Sequence, residues 1–227
     1  MLINLRNALM SGKRMPTAKD YAQSGLVAMW DGIENAGWGV HDAAATTWQD
    51  LVNGITLTSA NGYFSATETS MAWTSRDRLR CYNDTIKTAM CSTSQTLEVG
   101  ITNSNLPVSL NGVNGIISVA YGQIGAQSDG ATSFGQSKSY DGFVRYVLTG
   151  DGTTGRLYYN GQEVGSSTNI VNSSAKLSNQ FIVNGNAISS GTTSTGSVKY
   201  IRIYSRALTA SEIAANYAID KARFGLP

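Results

Sequence analysis

Asn-Gly occurs six times in this chain, at Asn53-Gly54, Asn61-Gly62, Asn111-Gly112, Asn114-Gly115, Asn160-Gly161 and Asn184-Gly185. The pair supplies two successive positive φ angles, which a type I′ turn requires, so each copy flanked by alternating side chains predicts a β-hairpin. The pattern is strongest around Asn160. Phe143-Val144-Arg145-Tyr146-Val147-Leu148 is followed by a Gly150–Gly155 turn, Arg156-Leu157-Tyr158-Tyr159 returns, and Asn160-Gly161 reverses the chain into Gln162-Glu163-Val164. This spacing predicts a three-stranded meander. Further strands are predicted near residues 26–31, 55–59, 95–102, 115–121, 179–184 and 198–205. Turn signals recurring roughly every 8–15 residues predict an all-β fold of two packed antiparallel sheets.

Three segments carry a helical pattern instead. Residues 2–10 set Leu2, Leu5 and Leu9 on one face, and Asn83–Met90 has the form of a short capped helix. At the C-terminus, Thr209 precedes Glu212 by three residues, a capping box in which each side chain satisfies the other's backbone N–H. Leu208 and Ile213 occupy the flanking staple positions. Ile213 and Tyr217 are expected to share the buried face of that helix.

Composition excludes several alternatives. With 41% hydrophobic and 14% charged residues, the chain is neither disordered nor a coiled coil. No apolar run approaches the length of a membrane-spanning helix, and the first twenty residues lack the apolar core of a secretory signal. A protein made in the cytoplasm, with no membrane partner, is expected. Arg6, Lys13, Arg14 and Lys19 all precede the first acid, Asp20, so the remaining chain carries 13 basic and 15 acidic residues. A slightly acidic body disfavours a nucleic-acid partner. Its one basic cluster, Arg76, Arg78 and Arg80, has the alternation of a solvated strand face.

Cys81 and Cys91 are the only thiols and match no zinc or redox spacing. Two buried free thiols are the favoured reading, with a disulfide left open. His41 is the only histidine. It adjoins Asp42, and adjacent residues of a strand face opposite ways, so a hydrolytic triad is disfavoured. Asp42 is expected to cap Ala43-Ala44-Ala45, ahead of Trp48 and Leu51 packing inward.

The tail Ser197–Ile213, with its run Tyr200-Ile201-Arg202-Ile203-Tyr204-Ser205-Arg206-Ala207-Leu208, resembles the closing strand and helix of laminin-G-like domains. Leu157-Tyr158-Tyr159-Asn160-Gly161-Gln162-Glu163-Val164 resembles a hairpin of the same family. Gly25–Gly32 is similar to its opening strand, and Asp50–Gly54 to the turn that follows. The resemblance implies a concanavalin A-like jelly-roll sandwich with a short closing helix over residues 22–227, preceded by a basic leader, residues 1–21. It implies a carbohydrate-binding or adhesive module, with calcium in some members. Many members carry an acidic pair where this chain has Val198-Lys199, which puts any function of that pair in doubt. A short leader before one such domain also resembles small proteins encoded near bacteriophage tail genes. That implies a virion accessory protein, or a purely structural protein–protein module of a phage particle.

Jelly rolls also host glycosidases, and retaining enzymes need two carboxylates about 5 Å apart. None of the five glutamates has an acid two or four residues away, so Glu98 in its predicted strand stands without a partner in sequence. Hydrolysis is therefore disfavoured and the chain is expected not to be an enzyme. Sugar binding needs exposed aromatic faces beside polar groups. The candidates are Trp38 in its Gly37-Trp38-Gly39 loop, with Trp73, Tyr63, Tyr121 and Tyr140 near turns, whereas Trp30 and Trp48 are expected in the core. No cofactor is required. A structural calcium ion would draw on Asp31, Asp129 and Asp141 as loop carboxylates. The expected partner is a glycan or cell-surface polysaccharide. Residues 1–20, with the apolar stripe of Leu2, Leu5 and Leu9, are expected to attach the domain to a second copy or to a virion.

Overall fold

The structure, a computed structural model, describes residues 14–59, 65–67, 70–73, 79–101, 108–112, 117–120, 123–126, 143–168, 177–183 and 196–226. Among these lie fifteen strands: β1 (Leu26–Asp31), β2 (Thr47–Gln49), β3 (Thr56–Ser59), β4 (Ser65–Thr67), β5 (Ser70–Trp73), β6 (Leu79–Tyr82), β7 (Ser94–Ile101), β8 (Val108–Gly112), β9 (Ile117–Ala120), β10 (Gln123–Ala126), β11 (Val144–Asp151), β12 (Gly155–Tyr159), β13 (Gln162–Ser167), β14 (Leu177–Val183) and β15 (Gly196–Tyr204). They form an antiparallel sheet in the order β13-β12-β11-β7-β15-β5-β4, with β1 also on β15. A second sheet runs β2-β3-β6-β14-β8, and β9 pairs with β10. This is the sandwich expected from the turn spacing. The opening strand lies directly against the closing one, with Trp30 opposite Ile201 and Asp31 opposite Tyr200.

The meander forms as predicted. Asn160 and Gly161 take φ angles of 45° and 80°, the type I′ combination. β11 runs further than the alternation indicated, because Gly150 pairs with Gly155 and the turn contracts to residues 152–154.

Alternation fills the space between the two large sheets. Leu97, Val99 and Ile101 of β7, Tyr146 and Leu148 of β11, and Ile201 and Ile203 of β15 point inward against Leu57, Leu79, Cys81 and Phe181 of the second sheet. Trp30 and Trp48 are fully buried, and Trp30 stacks on Phe181 at 5.5 Å between ring centroids. Both thiols are free, but only Cys81 is buried; Cys91, expected to be buried too, lies just past the short helix and packs on the core with part of its surface open.

The short helix Asp84–Met90 is capped by the Asn83 side chain, which accepts from the Ile86 N–H. The C-terminal helix Ala210–Phe224 carries the expected capping box between Thr209 and Glu212. It lies on the far face of the eight-stranded sheet. Its buried side is Ile213, Asn216, Asp220, Arg223 and Phe224, while Tyr217 is only half-buried. The inner stripe is therefore shifted from the expected pairing of Ile213 with Tyr217, and most of it is polar.

One further expectation is corrected. Ala43–Ala45 form no helix. Asp42 instead accepts from the Ala44 N–H at 2.8 Å and so closes a turn, because the chain enters β2 only two residues later. Residues just ahead of the boundary expected at residue 21 pack on the body. Ala18 and Tyr21 are buried, the Ala18 N–H donates to Glu34, and the Ala22 N–H donates to the Asn216 side chain at 3.0 Å. The chain runs beside the closing helix here, so that helix does not fill the outer layer alone. The predicted helix over residues 2–10, with its leucine stripe, lies outside the described residues.

Candidate functional site

Strands β1, β7, β11 and β15 turn a charged set of side chains toward the closing helix. Glu98 of β7 pairs with Arg145 of β11, and with Arg202 of β15 at 2.6 Å. Asp220 of the helix receives Arg202 at 2.8 Å and Arg145 at 3.0 Å, and accepts from the Tyr21 and Tyr200 hydroxyls at 2.8 Å each. Asn216 donates to Glu98 at 3.1 Å. All four ionic side chains are fully buried. The Arg202 guanidinium also lies over the rings of Tyr21 and Tyr200, 3.8 and 3.9 Å from their centroids. Burial by itself favours a neutral Glu98. The two guanidiniums outweigh it and hold this carboxyl below its ordinary range.

A second ionic group continues the layer. Arg223 reaches Asp31 at 2.6 Å and Glu34 at 2.9 Å. Asp31, expected in a loop and available to calcium, is the last residue of β1 and is wholly buried. The arginine stands where a cation would sit. Desolvation raises the Asp31 carboxyl, with Arg223 opposing the shift. Among the described residues no group of three His, Cys, Asp or Glu side chains could hold a metal ion. Asp129 and Asp141 lie outside those residues.

The loop leaving β1 carries the one aromatic candidate whose side chain the structure describes. Trp38 and Gly39 are the middle of a turn closed by the Val40 N–H on the Gly37 carbonyl, and Gly39 takes the positive φ, 71°, that this turn needs. The loop is tied down from beneath. Buried Glu34 accepts from the Gly39 N–H at 2.8 Å through the oxygen that Arg223 does not use. Asn35 exchanges two hydrogen bonds with the backbone of Asp42, and His41 Nδ1 lies 3.0 Å from the Ile33 carbonyl. Above this frame Trp38 is 37% exposed and Val40 51%. The Lys19 ammonium stands 5.4 Å from the indole centroid. The result is an apolar plate on a loop whose backbone is pinned, with one cation over the ring.

Trp73 ends β5, on the same edge of β15 as β1, and its side chain lies outside the described residues. Tyr63, Tyr121 and Tyr140 also lie outside them. One aromatic was missed by the sequence reading. Tyr82 of β6 is 63% exposed, the most open large apolar side chain described, and its hydroxyl accepts from Gln180 Nε2 at 2.7 Å. The alternation Leu79 in, Arg80 out, Cys81 in, Tyr82 out was the available signal.

Sandwich, closing helix and sequence now agree with a known family. A family model described as the concanavalin A-like lectin/glucanases superfamily matches residues 50–214. The chain belongs to this superfamily. The Trp38 loop lies ahead of the matched residues, so the superfamily match does not speak for it. No curated protein matches the chain in sequence. Among solved structures, a Trypanosoma rangeli sialidase with 2,3-difluorosialic acid is 19% identical with a TM-score of 0.64, and the match covers 92% of this chain and 34% of that one. The chain thus spans about a third of the sialidases it matches. Domain 4 of AbnA, a GH43 extracellular arabinanase from Geobacillus stearothermophilus in complex with arabinotriose, is 15% identical with a TM-score of 0.63. That match covers 87% of this chain and 100% of the domain. The receptor binding domain of a botulinum neurotoxin C/D mosaic serotype is 13% identical with a TM-score of 0.59, over 86% of this chain and 51% of that one. At these identities the likeness is one of fold.

Proposed function

We propose that the protein is a non-catalytic carbohydrate-binding module that holds a glycan or cell-surface polysaccharide at the Trp38 loop. The observation that carries this reading is the partly exposed indole on a loop whose backbone is tied to a buried carboxylate. Sugar rings stack their C–H faces on an aromatic plate, and a plate already held in place loses little conformational freedom on binding. The lectin-containing superfamily supports carbohydrate binding, as does the sugar bound to the arabinanase domain of similar fold, while the place of binding rests on the loop geometry alone. The carboxylates support a non-catalytic role. Glu98 and Asp220 are fully buried and bridged by arginines, so neither faces a substrate. The basic residues ahead of the module extend the proposal to display on a larger particle, including a virion.

A glycan array probed with the full chain tests the reading. Binding to at least one glycan is expected, weakened roughly tenfold in Trp38→Ala, with no reducing sugar released from the bound polysaccharide. An array without hits would overturn it in favour of a structural protein–protein module.

A further inference from the structure

We infer that the protein has a second carbohydrate site, a cleft for neutral sugars at the opposite end of β1 from the Trp38 loop. This rests on the sugar-binding reading but uses none of the same residues. The cleft is an open depression of about 490 Å³, within the usual range for small-molecule pockets, and is lined by Val27, Asp84, Thr85, Thr88, Ala89, Ser92 and Ser205. The short helix supplies Asp84, Thr85, Thr88 and Ala89, with Thr85 and Thr88 one turn apart and exposed. Val27 and Ser205 come from the start of β1 and from just beyond β15.

The chemistry of the lining selects the ligand. Threonine offers a methyl and a hydroxyl side by side, so a wall of Thr85, Thr88, Ser92 and Ser205 around Val27 and Ala89 matches a molecule that alternates C–H and O–H over its whole surface. Asp84 adds a carboxylate. Asn179 Nδ2 donates to its Oδ1 at 3.0 Å, which fixes the side chain and leaves the other oxygen for a sugar hydroxyl. The same negative charge disfavours sialic or uronic acids. The only ionisable side chain in the lining is this acid, so a phosphate or carboxylate ligand has no counter-charge there.

Tyr82 extends the site. It lies two residues before Asp84, and its neighbour across the sheet, Gln180, adjoins the Asn179 that holds Asp84. Its exposed ring, with the hydroxyl anchored, lies outside the cleft's own lining and offers a stacking plate near Asp84. Val27 and Asp31 are four residues apart on β1, roughly 13 Å at strand spacing. The two sites therefore face different ends of the sandwich. One polysaccharide, or two strands of a matrix, would be engaged with avidity that neither site has alone.

Calorimetric titration of the full chain with xylohexaose, cellohexaose, arabinohexaose and, as the acidic probe, sialyllactose tests the inference. At least one neutral probe is expected to bind the Trp38→Ala variant with little change. Its affinity should fall tenfold or more in Thr88→Arg, which fills the cleft from an exposed helix position, and in Tyr82→Ala. Unchanged thermal transitions in both variants establish that they fold. Neutral-probe binding that is insensitive to Thr88→Arg and Tyr82→Ala, or that disappears with Trp38 alone, overturns the cleft and leaves the proposed function standing. Sialyllactose binding lost in Thr88→Arg overturns the neutral assignment. Failure of the wild-type chain to bind any probe counts against both sites.

Discussion

Arg202 and Asp220 form a two-pronged ion pair, 2.8 and 2.9 Å, that joins the closing strand to the closing helix with both side chains fully buried. Such a pair adds little net stability over an apolar contact of the same shape, but losing one member leaves a charge stranded inside. Here Asp220 faces two arginines at once. Asp220→Ala should cost about 3–5 kcal/mol in denaturant unfolding. Asp220→Asn keeps the shape and should lose nearly as much. A small effect of Asn would mean that packing, not charge, holds the helix in place.

The helix start offers a milder and pH-dependent test. Thr209→Ala removes the side chain that accepts from the Glu212 N–H and should cost about 1 kcal/mol. Glu212 itself is held down to about 2, first by its hydrogen bonds from Arg206 and then by the Thr209 N–H, against an ordinary 4.5. A carboxyl depressed by folding contributes fully above its unfolded value and loses that contribution as pH falls through the folded one. The melting temperature should therefore drop between pH 4.5 and 2. The drop should be shallower in Glu212→Gln.

The meander turn packs on the same helix. A Cβ at Gly161 would stand 2.8 Å from the Tyr217 ring, at a backbone φ of 80°. Gly161→Ala combines left-handed strain of about 1–2 kcal/mol with that contact, so unfolding should show at least the strain. Tyr217→Ala added to it should return only the contact part.

The two thiols should differ in reactivity. Burial pushes Cys81 up to about 12 and raises Cys91 less, and only Cys91 is partly open. Alkylation with iodoacetamide at pH 8 should label Cys91 slowly and spare Cys81 until denaturant is added. Rapid labelling of both would place Cys81 outside the core.

The amino-acid order by itself determined what is decided within a few residues. The Asn160-Gly161 turn, the alternation of β7, β11 and β15 and the Thr209–Glu212 box each need only near neighbours, and all three are in the structure. The same alternation gave Glu98, Arg145 and Arg202 the face away from the core, which in sequence terms is a solvated face. Only the tertiary structure made it an interior. Glu98 is 47 residues from Arg145 and 104 from Arg202, and a partner that distant is settled by which strands become neighbours and by what then covers them. The closing helix and the Thr17–Ala22 segment are that cover. The same docking took Asp31 from candidate metal ligand to the partner of Arg223, and left Trp38 on a loop locked by Glu34. Charge on one face of a strand says nothing about burial until a second element removes the water, and that is a property of the assembled fold.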